Sequence, residues 1–212
     1  MHKRSPDFCL IETMRLERTG QVLRLALHLQ RLRRSAQQLG FSYEHKAILQ
    51  ALAPSMRRRY HSAQRLRLSL AYNGAISIQQ APLTPTATPV LLRLSPFSAQ
   101  PQPLFLRHKT DARHHWHTGE QFLAQHPNYF DVIYYDQHGY LTEGTRTNIY
   151  LWTNGRWVTP PTTQDLLAGV QRQYLINKGW VQEQPIHHQQ LLPSSRLRVS
   201  NALRGWLDAS LY

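Results

Sequence analysis

The chain has 212 residues, 41% of them hydrophobic, with five Trp, ten Tyr and six Phe, which suits one large core or two small ones and excludes a disordered protein. Its formal net charge is +13, but the basic residues are spread along the whole chain, so we favour a solvated basic surface or a small anionic ligand over nucleic-acid binding. No apolar run approaches the roughly 20 residues that span a bilayer, Glu12 and Arg15 come too early for a signal-peptide core, and the lone Cys9 excludes a disulfide framework, which together predict a cytoplasmic protein without membrane contact.

The N-terminal half alternates strands and helices. Its predicted elements are, in chain order, two antiparallel strands (8–17 and 22–27), an amphipathic helix that ends at Gly40, a second helix (43–58) and two further strands (65–72 and 75–80). Asn73-Gly74, between the last two strands, is the strongest hairpin signal in the chain.

A proline-rich window separates the two halves. Six of the thirteen prolines lie between residues 82 and 103, so we predict an N-terminal α+β domain over 1–103 and a C-terminal domain over 104–212. The later predicted elements are a helix over about 109–126, strands over 130–136, 148–153 and about 157–160, a helix over 166–179 and a last strand over 196–203. Helices laid against antiparallel hairpins place the chain in the mixed α+β class.

Lys109 is the first candidate for chemistry. Only four of the 25 basic side chains are lysine, and this one lies in "LRHKTDAR", beside His108 and close to Arg107 and Arg113. Lysine can act as a nucleophilic amine whereas arginine cannot lose its proton, and positive surroundings disfavour the charged amine. Such a lysine is prepared for a Schiff base with an aldehyde; the plain alternative is a surface lysine at a helix start.

Glu143 is the second candidate. It lies in "YLTEGTRTNIYLW", between two apolar strand-like runs. A buried carboxylate needs a cationic partner or donors, and a protonated pyridine nitrogen would serve. A solvated glutamate in a turn is the ordinary alternative.

Two further segments offer an anion site. In "LLAGVQRQYL", Gly169 would start a helix whose N–H groups at Val170 and Gln171 favour a phosphate; a simple helix cap is the alternative. In "RVSNALRG", small polar residues at Asn201 and Ala202 suit a close approach of the backbone to an anion, or merely end an edge strand.

The order of these segments is more specific than any one of them. The stretches "LIETMRLE", "HLQRLRRSAQQLGF", "HKTDAR", "YLTEGTRTNIYLWTNGRWVTPP", "LLAGVQRQYL" and "VSNALRGWL" resemble the class IV aminotransferase family, and within it the aminodeoxychorismate lyases most. The resemblance spans nearly the whole chain. It implies a two-domain enzyme of fold type IV, with a smaller N-terminal α/β domain and a larger C-terminal domain whose sheet is antiparallel and barrel-like.

The resemblance also implies a cofactor, pyridoxal 5'-phosphate (PLP), and roles for single residues. Lys109 would carry the cofactor covalently and move protons, and Glu143 would contact its pyridine nitrogen. Arg31, selected over Arg33 and Arg34 only by the family pattern, would bind the phosphate. The backbone at Gly169, Val170 and Gln171 and the turn at Asn201 and Ala202 would complete the phosphate site, and Asn148 would steady the strand ends near the ring.

The implied reaction converts 4-amino-4-deoxychorismate to 4-aminobenzoate and pyruvate, a step of folate biosynthesis, in a homodimer. The substrate carries two carboxylates, so Arg15, Arg113 and Arg204 are candidates for binding it. The alternatives are an aminotransferase of D- or branched-chain amino acids and, in another class, a non-catalytic basic protein that binds nucleic acid. The clustered histidines lack the carboxylate or cysteine partners of a metal site, so we predict no metal.

Two departures from the family pattern bear on activity. Family members usually begin with an additional segment that contains an Asp-Arg-Gly turn, whereas this chain reaches "FCLIETMR" almost at once. Position 171 is Gln, where the family often has Thr, so one hydroxyl contact to a phosphate would be absent.

Overall fold

A computed structural model describes residues 6–96 and 103–212 of the chain. The described residues form two compact units: one comprises the chain up to Pro85 together with His108–Ala112, and the other comprises the remaining described residues. The boundary predicted at residue 103 follows a stretch, 97–102, that lies outside the described residues. The division falls at residue 85 instead, and the segment that contains Lys109 belongs to the first unit rather than to the C-terminal part.

The first unit is a three-stranded antiparallel sheet with two helices. Its elements are strand β1 (Leu10–Leu16), helices α1 (Leu25–Leu39) and α2 (His45–Met56), and strands β2 (Gln64–Leu70) and β3 (Ile76–Pro82), with the strands in the order β1-β2-β3. Alternate residues of β1 and β2 are buried and pack against Leu29, Leu32 and Ala36 of α1. The predicted helices and the hairpin at Asn73-Gly74 are therefore confirmed.

The strand predicted over 22–27 is wrong. Only a single bridge joins Val22 to Leu16, and α1 already starts at Leu25. The apolar spacing that continues from Leu25 through α1 buries side chains only as a helix, and this tertiary contact overrides the alternating pattern of the six residues. Gly40, at a φ of 75°, ends the helix as predicted.

The second unit is built on a curled, half-barrel sheet of eight strands. Its strands are β4 (Val90–Pro96), β5 (Tyr129–Tyr135), β6 (Leu141–Gly144), β7 (Asn148–Thr153), β8 (Arg156–Thr159), β9 (Val181–Glu183), β10 (Leu197–Asn201) and β11 (Gly205–Leu211). Their order in the sheet is β6-β5-β4-β11-β10-β7-β8-β9. The sheet is mixed, not antiparallel as expected, because the pairs β4–β5, β4–β11 and β8–β9 are parallel.

Three helices complete the second unit: α3 (Pro103–Arg107), α4 (His117–Gln125) and α5 (Val170–Asn177). The helix predicted from residue 109 begins only at 117, because the backbone at 109–111 bonds to β1 instead of forming a helical turn. Strand β11 was not predicted, yet it lies between β4 and β10 near the middle of the sheet. The α+β class itself is confirmed.

Candidate active site

Lys109 lies in a short extended segment that adds to the free edge of β1. Its carbonyl oxygen accepts a hydrogen bond from the amide of Ile11 at 2.9 Å, and the amide of Asp111 donates to the carbonyl of Cys9 at 3.1 Å. The ring of the preceding His108 is hydrogen-bonded through Nδ1 to Oγ of Ser35 on α1, at 2.9 Å. The backbone of Lys109 is thus fixed against the first unit, and its side chain is half-buried rather than a fully exposed lysine at a helix start.

Arg31 belongs to a buried charged cluster beneath the same strand. The carboxylate of Glu12, 1% exposed, accepts from Nε of Arg31 at 2.8 Å and from its Nη2 at 2.6 Å. The same carboxylate accepts from Nδ1 of His28 at 2.6 Å. Helix α1 places His28 and Arg31 three residues apart, on the face that covers Glu12.

The protonation states within this cluster follow from burial and pairing. Burial raises the pKa of Glu12, but the Arg31 guanidinium and His28 outweigh it and bring the value to about 2. Burial lowers the pKa of His28, against the opposing pull of Glu12, and the charges of Arg31 and Lys109 lower it further. Glu12 is therefore ionised at neutral pH, and His28 is a neutral ring that donates through Nδ1.

Glu12 and His28 were missed in the sequence. The signal was present: Glu12 shares the period-two face of β1 with Leu10 and Met14, so its carboxylate had to be buried and paired. Nε2 of His28 is also buried and has no hydrogen-bond partner within the described chain. This nitrogen is available to accept a proton or hydrogen bond.

In the second unit, Glu143 is buried in β6, not solvated in a turn. Its Oε1 accepts from the amide of Leu167 at 2.9 Å, and its Oε2 lies 3.5 Å from Nδ2 of Asn148. Asn148, the first residue of β7, also donates to the carbonyl of Leu167 at 3.1 Å. The structure therefore brings Glu143 and Asn148 together and ties both to the segment that leads into α5.

Gly169 caps α5 in the same neighbourhood. A Cβ at this position would lie 2.0 Å from Oδ1 of Asn148, so any other residue would force Asn148 to move. The first intrahelical bond runs from the amide of Gln173 to the carbonyl of Gly169. The amides of Val170, Gln171 and Arg172 hence have no partner within the helix, which makes the start of α5 a site for an anion.

The predicted turn after β10 has a hydrogen-bonded frame. Oδ1 of Asn201 accepts from the amide of Arg204 at 2.8 Å, and Nδ2 donates to the carbonyl of Arg146 at 3.3 Å. Ala202 is buried. The neighbouring Ser200 is hydrogen-bonded to the hydroxyl of Tyr150 at 2.7 Å, and burial raises the pKa of that phenol, which stays protonated.

The three arginines considered for the substrate have different surroundings. Arg15 pairs with Glu17 at 2.7 Å at the end of β1. Arg113 donates to Glu120 at 2.9 Å and to the carbonyl of Thr145 at 2.7 Å. Arg204 lies in the turn between β10 and β11.

Residues 6–96 and 103–212 show neither a metal site nor a membrane-spanning helix. No group of three His, Cys, Asp or Glu side chains there could hold a metal ion. No helix in this part of the chain has the length and apolar character needed to cross a membrane.

Comparisons with known proteins agree on one family. The family model "Amino-transferase class IV" matches residues 9–212. A curated protein of Schizosaccharomyces pombe, named "Putative aminodeoxychorismate lyase", is 30% identical over 169 residues, which cover 77% of this chain and 72% of that protein.

Solved structures show the same fold. A crystal structure described as a "Putative amino-acid aminotransferase" from Mesorhizobium loti is 34% identical, covers 97% of this chain and 100% of its own, and has a TM-score of 0.86. Another, described as "Putative 4-amino-4-deoxychorismate lyase", is 24% identical, covers 95% of this chain and 84% of its own, and has a TM-score of 0.79.

Proposed function

Because the chain belongs to the class IV aminotransferase family, whose enzymes are PLP-dependent aminotransferases or lyases, we propose that it is a PLP-dependent lyase that converts 4-amino-4-deoxychorismate to 4-aminobenzoate and pyruvate. The 30% identity to the curated fission yeast relative supports the lyase reaction. Family membership weighs against a non-catalytic protein that binds nucleic acid.

One observation carries the cofactor assignment. Glu143, Asn148 and the start of α5 at Gly169 are joined by hydrogen bonds and by a close approach that leaves no room for a Cβ. The carboxylate complements a protonated pyridine nitrogen, and the unpaired amides of a helix start complement a phosphate. The carboxylate of Glu143 and the amides at the start of α5 therefore suit the pyridine nitrogen and the phosphate of PLP, respectively.

The remaining roles belong to side chains of the first unit. Lys109 would hold the aldehyde through Nζ until the substrate amine replaces it there. The amine of Lys109 released in this way would take the substrate ring proton and return a proton to the leaving enolpyruvyl group. Arg31, held by Glu12, would bind the cofactor phosphate. Bound PLP supplies an electron sink for the electrons that proton removal releases. Glu143 would keep the proton on the pyridine nitrogen and so sustain that sink.

The anionic substrate accounts for part of the basic character of the chain. Arg15, Arg113 and Arg204 remain our candidates for its two carboxylates, since guanidinium groups bind carboxylates in a bidentate manner. Arg113 is already oriented by its bonds to Glu120 and to the carbonyl of Thr145. We also propose a homodimer in the cytoplasm.

An aminotransferase of D- or branched-chain amino acids is the second candidate. The Mesorhizobium loti structure, which is 34% identical and fully covered, is described as an amino-acid aminotransferase. Both reactions use the same cofactor and the same lysine, so only the products separate them.

The test is a product assay with the PLP-loaded protein. Incubation with 4-amino-4-deoxychorismate alone, with no keto acid added as an amino-group acceptor, should release 4-aminobenzoate and pyruvate in equal amounts. Borohydride reduction followed by peptide mass spectrometry should place the cofactor on Lys109. The Lys109→Ala variant is the negative control for both measurements, and Lys178→Ala, which changes an exposed lysine after α5, is the matched control.

Two results would contradict the proposal. Amine exchange between an amino acid and a keto acid, with no 4-aminobenzoate, would establish the aminotransferase instead. A preparation that takes up no PLP at all would remove both candidates.

A further inference from the structure

Asp131 is a buried acid to which the proposed reaction assigns no role. It lies on β5 with its side chain 0% exposed. Its carboxylate accepts hydrogen bonds from the hydroxyls of Thr145 and Thr147, the latter at 2.6 Å, and from the amide of Arg146 at 3.2 Å. These three donors come from the connection between β6 and β7, residues 145–147, and a fourth, the amide of Val132 on β5 itself, donates at 2.9 Å.

This connection joins Glu143 to Asn148. Its backbone is tied to β5 as well, because the amide of Thr145 donates to the carbonyl of Val132 at 3.1 Å. The amide of Gly144 closes the connection by donating to the carbonyl of Thr147 at 2.7 Å. The backbone of residues 145–147 is therefore fixed, and this fixes the positions of Glu143 and Asn148 on either side of it.

We propose that Asp131 is a positioning residue that holds Glu143 and Asn148 in the arrangement needed to bind the pyridine ring and to support the start of α5. The inference rests on the proposed function for the identity of the ligand, but the positioning itself is a property of the protein without ligand. The positioning effect reaches the segment before α5 through Leu167, because the amide of Leu167 donates to Glu143 and its carbonyl accepts from Asn148.

Close packing makes the arrangement specific to a carboxylate. A Cβ on Gly144 would lie 2.4 Å from Oδ2 of Asp131, so the acid lies directly against the backbone of β6. Every group that faces the carboxylate from this connection is a donor. An asparagine would retain the shape, but its NH₂ group would face a backbone N–H in either orientation, that of Val132 or that of Arg146, and neither can accept a hydrogen bond.

Burial and the surrounding donors act in opposite directions on the pKa of Asp131. Burial raises the pKa of Asp131, whereas the hydroxyls of Thr145 and Thr147, the charge of Arg146 and its amide lower it. These hydrogen bonds offset part of the cost of burying the carboxylate.

The experiment measures hydrogen exchange in the PLP-free protein and PLP affinity in parallel. In Asp131→Asn and Thr147→Val, the amide of Leu167 should exchange at least ten-fold faster, because Glu143 no longer holds it, and the dissociation constant for PLP should rise about ten-fold. The separate variant Thr147→Ser keeps the hydroxyl, so its exchange rate at Leu167 and its dissociation constant for PLP should both equal those of the wild type. Val158→Ala, which creates a cavity at a fully buried position of β8, is the control for general loss of stability and should leave both values near wild type.

Each outcome has a defined meaning. Unchanged exchange at Leu167 in Thr147→Val would overturn the proposal, as would an acceleration equal to that of Val158→Ala, which would indicate a merely structural residue. If Asp131→Asn does not fold, the two Thr147 variants decide. If the wild-type protein takes up no PLP, the proposed function fails, yet the exchange rates still test the positioning by Asp131.

Discussion

Replacing Glu12 by glutamine should destabilise the first unit and remove part of its dependence on pH. The carboxylate of Glu12 is buried and bonded to both Arg31 and His28. In Glu12→Gln the guanidinium of Arg31, 8% exposed, loses the charge of this carboxylate. Removing one partner of a buried ion pair typically costs about 3–5 kcal/mol.

The shift of the Glu12 pKa gives an independent magnitude. A fall from the ordinary value of 4.5 to about 2 corresponds to about 3 kcal/mol in favour of the ionised folded form. Because the pKa is depressed on folding, this stabilisation is complete above pH 4.5 and is lost as the pH falls towards 2. His28, whose pKa is also lowered, acts in the same direction but over a window that begins at its ordinary value of 6.5.

Urea unfolding between pH 2.5 and 7 measures both the loss of stability in Glu12→Gln and the change in the dependence of stability on pH. Circular dichroism follows the whole chain, while tryptophan fluorescence follows only the second unit, which holds all five Trp. Glu17→Gln is the matched control, since its pair with Arg15 is partly exposed and is worth about 1 kcal/mol or less. If Glu12→Gln unfolds with the same slope against pH below 4.5 as the wild type, the buried pair does not control stability and the reasoning is refuted.

Gly169, His115 and Gly40 each have a conformation or environment that a single experiment can test. Gly169→Ala should weaken PLP binding at least ten-fold in an absorbance titration, because its Cβ would displace Asn148; binding equal to wild type would show that this contact is irrelevant. The ring of His115, whose pKa is lowered to about 4 by burial and then by Arg113 and His114, should stay neutral in an NMR titration until the pH approaches 4, and a midpoint near 6.5 would contradict that. Gly40→Ala should lower the free energy of unfolding by about 1 kcal/mol, because φ is 75° there; unchanged thermal unfolding would argue against the left-handed cap.

Local patterns were sufficient for several elements. The spacing of Leu29, Leu32 and Ala36 predicted α1 and its end at Gly40, and the run 148–153 coincides with β7. These elements are determined by neighbours in the chain, so their periodicity is visible in the sequence. The segment 22–27 was predicted wrongly because α1, which begins at Leu25, packs its buried face against β1 and β2. Strand β11 was missed because its place in the sheet depends on parallel pairing with β4, which lies far earlier in the chain.

By itself the sequence determined the family, the α+β class and the identities of the candidate site residues, because ordered motifs such as "TEGTRTNI" are local and specific. Only the tertiary structure decided which groups hold those residues. Glu12 meets Arg31 across 19 positions of the chain, and Asp131 meets Thr147 across 16. A buried carboxylate is stabilised by donors that the fold places next to it. Because these donors lie at no regular spacing in the sequence, a periodic pattern does not predict them.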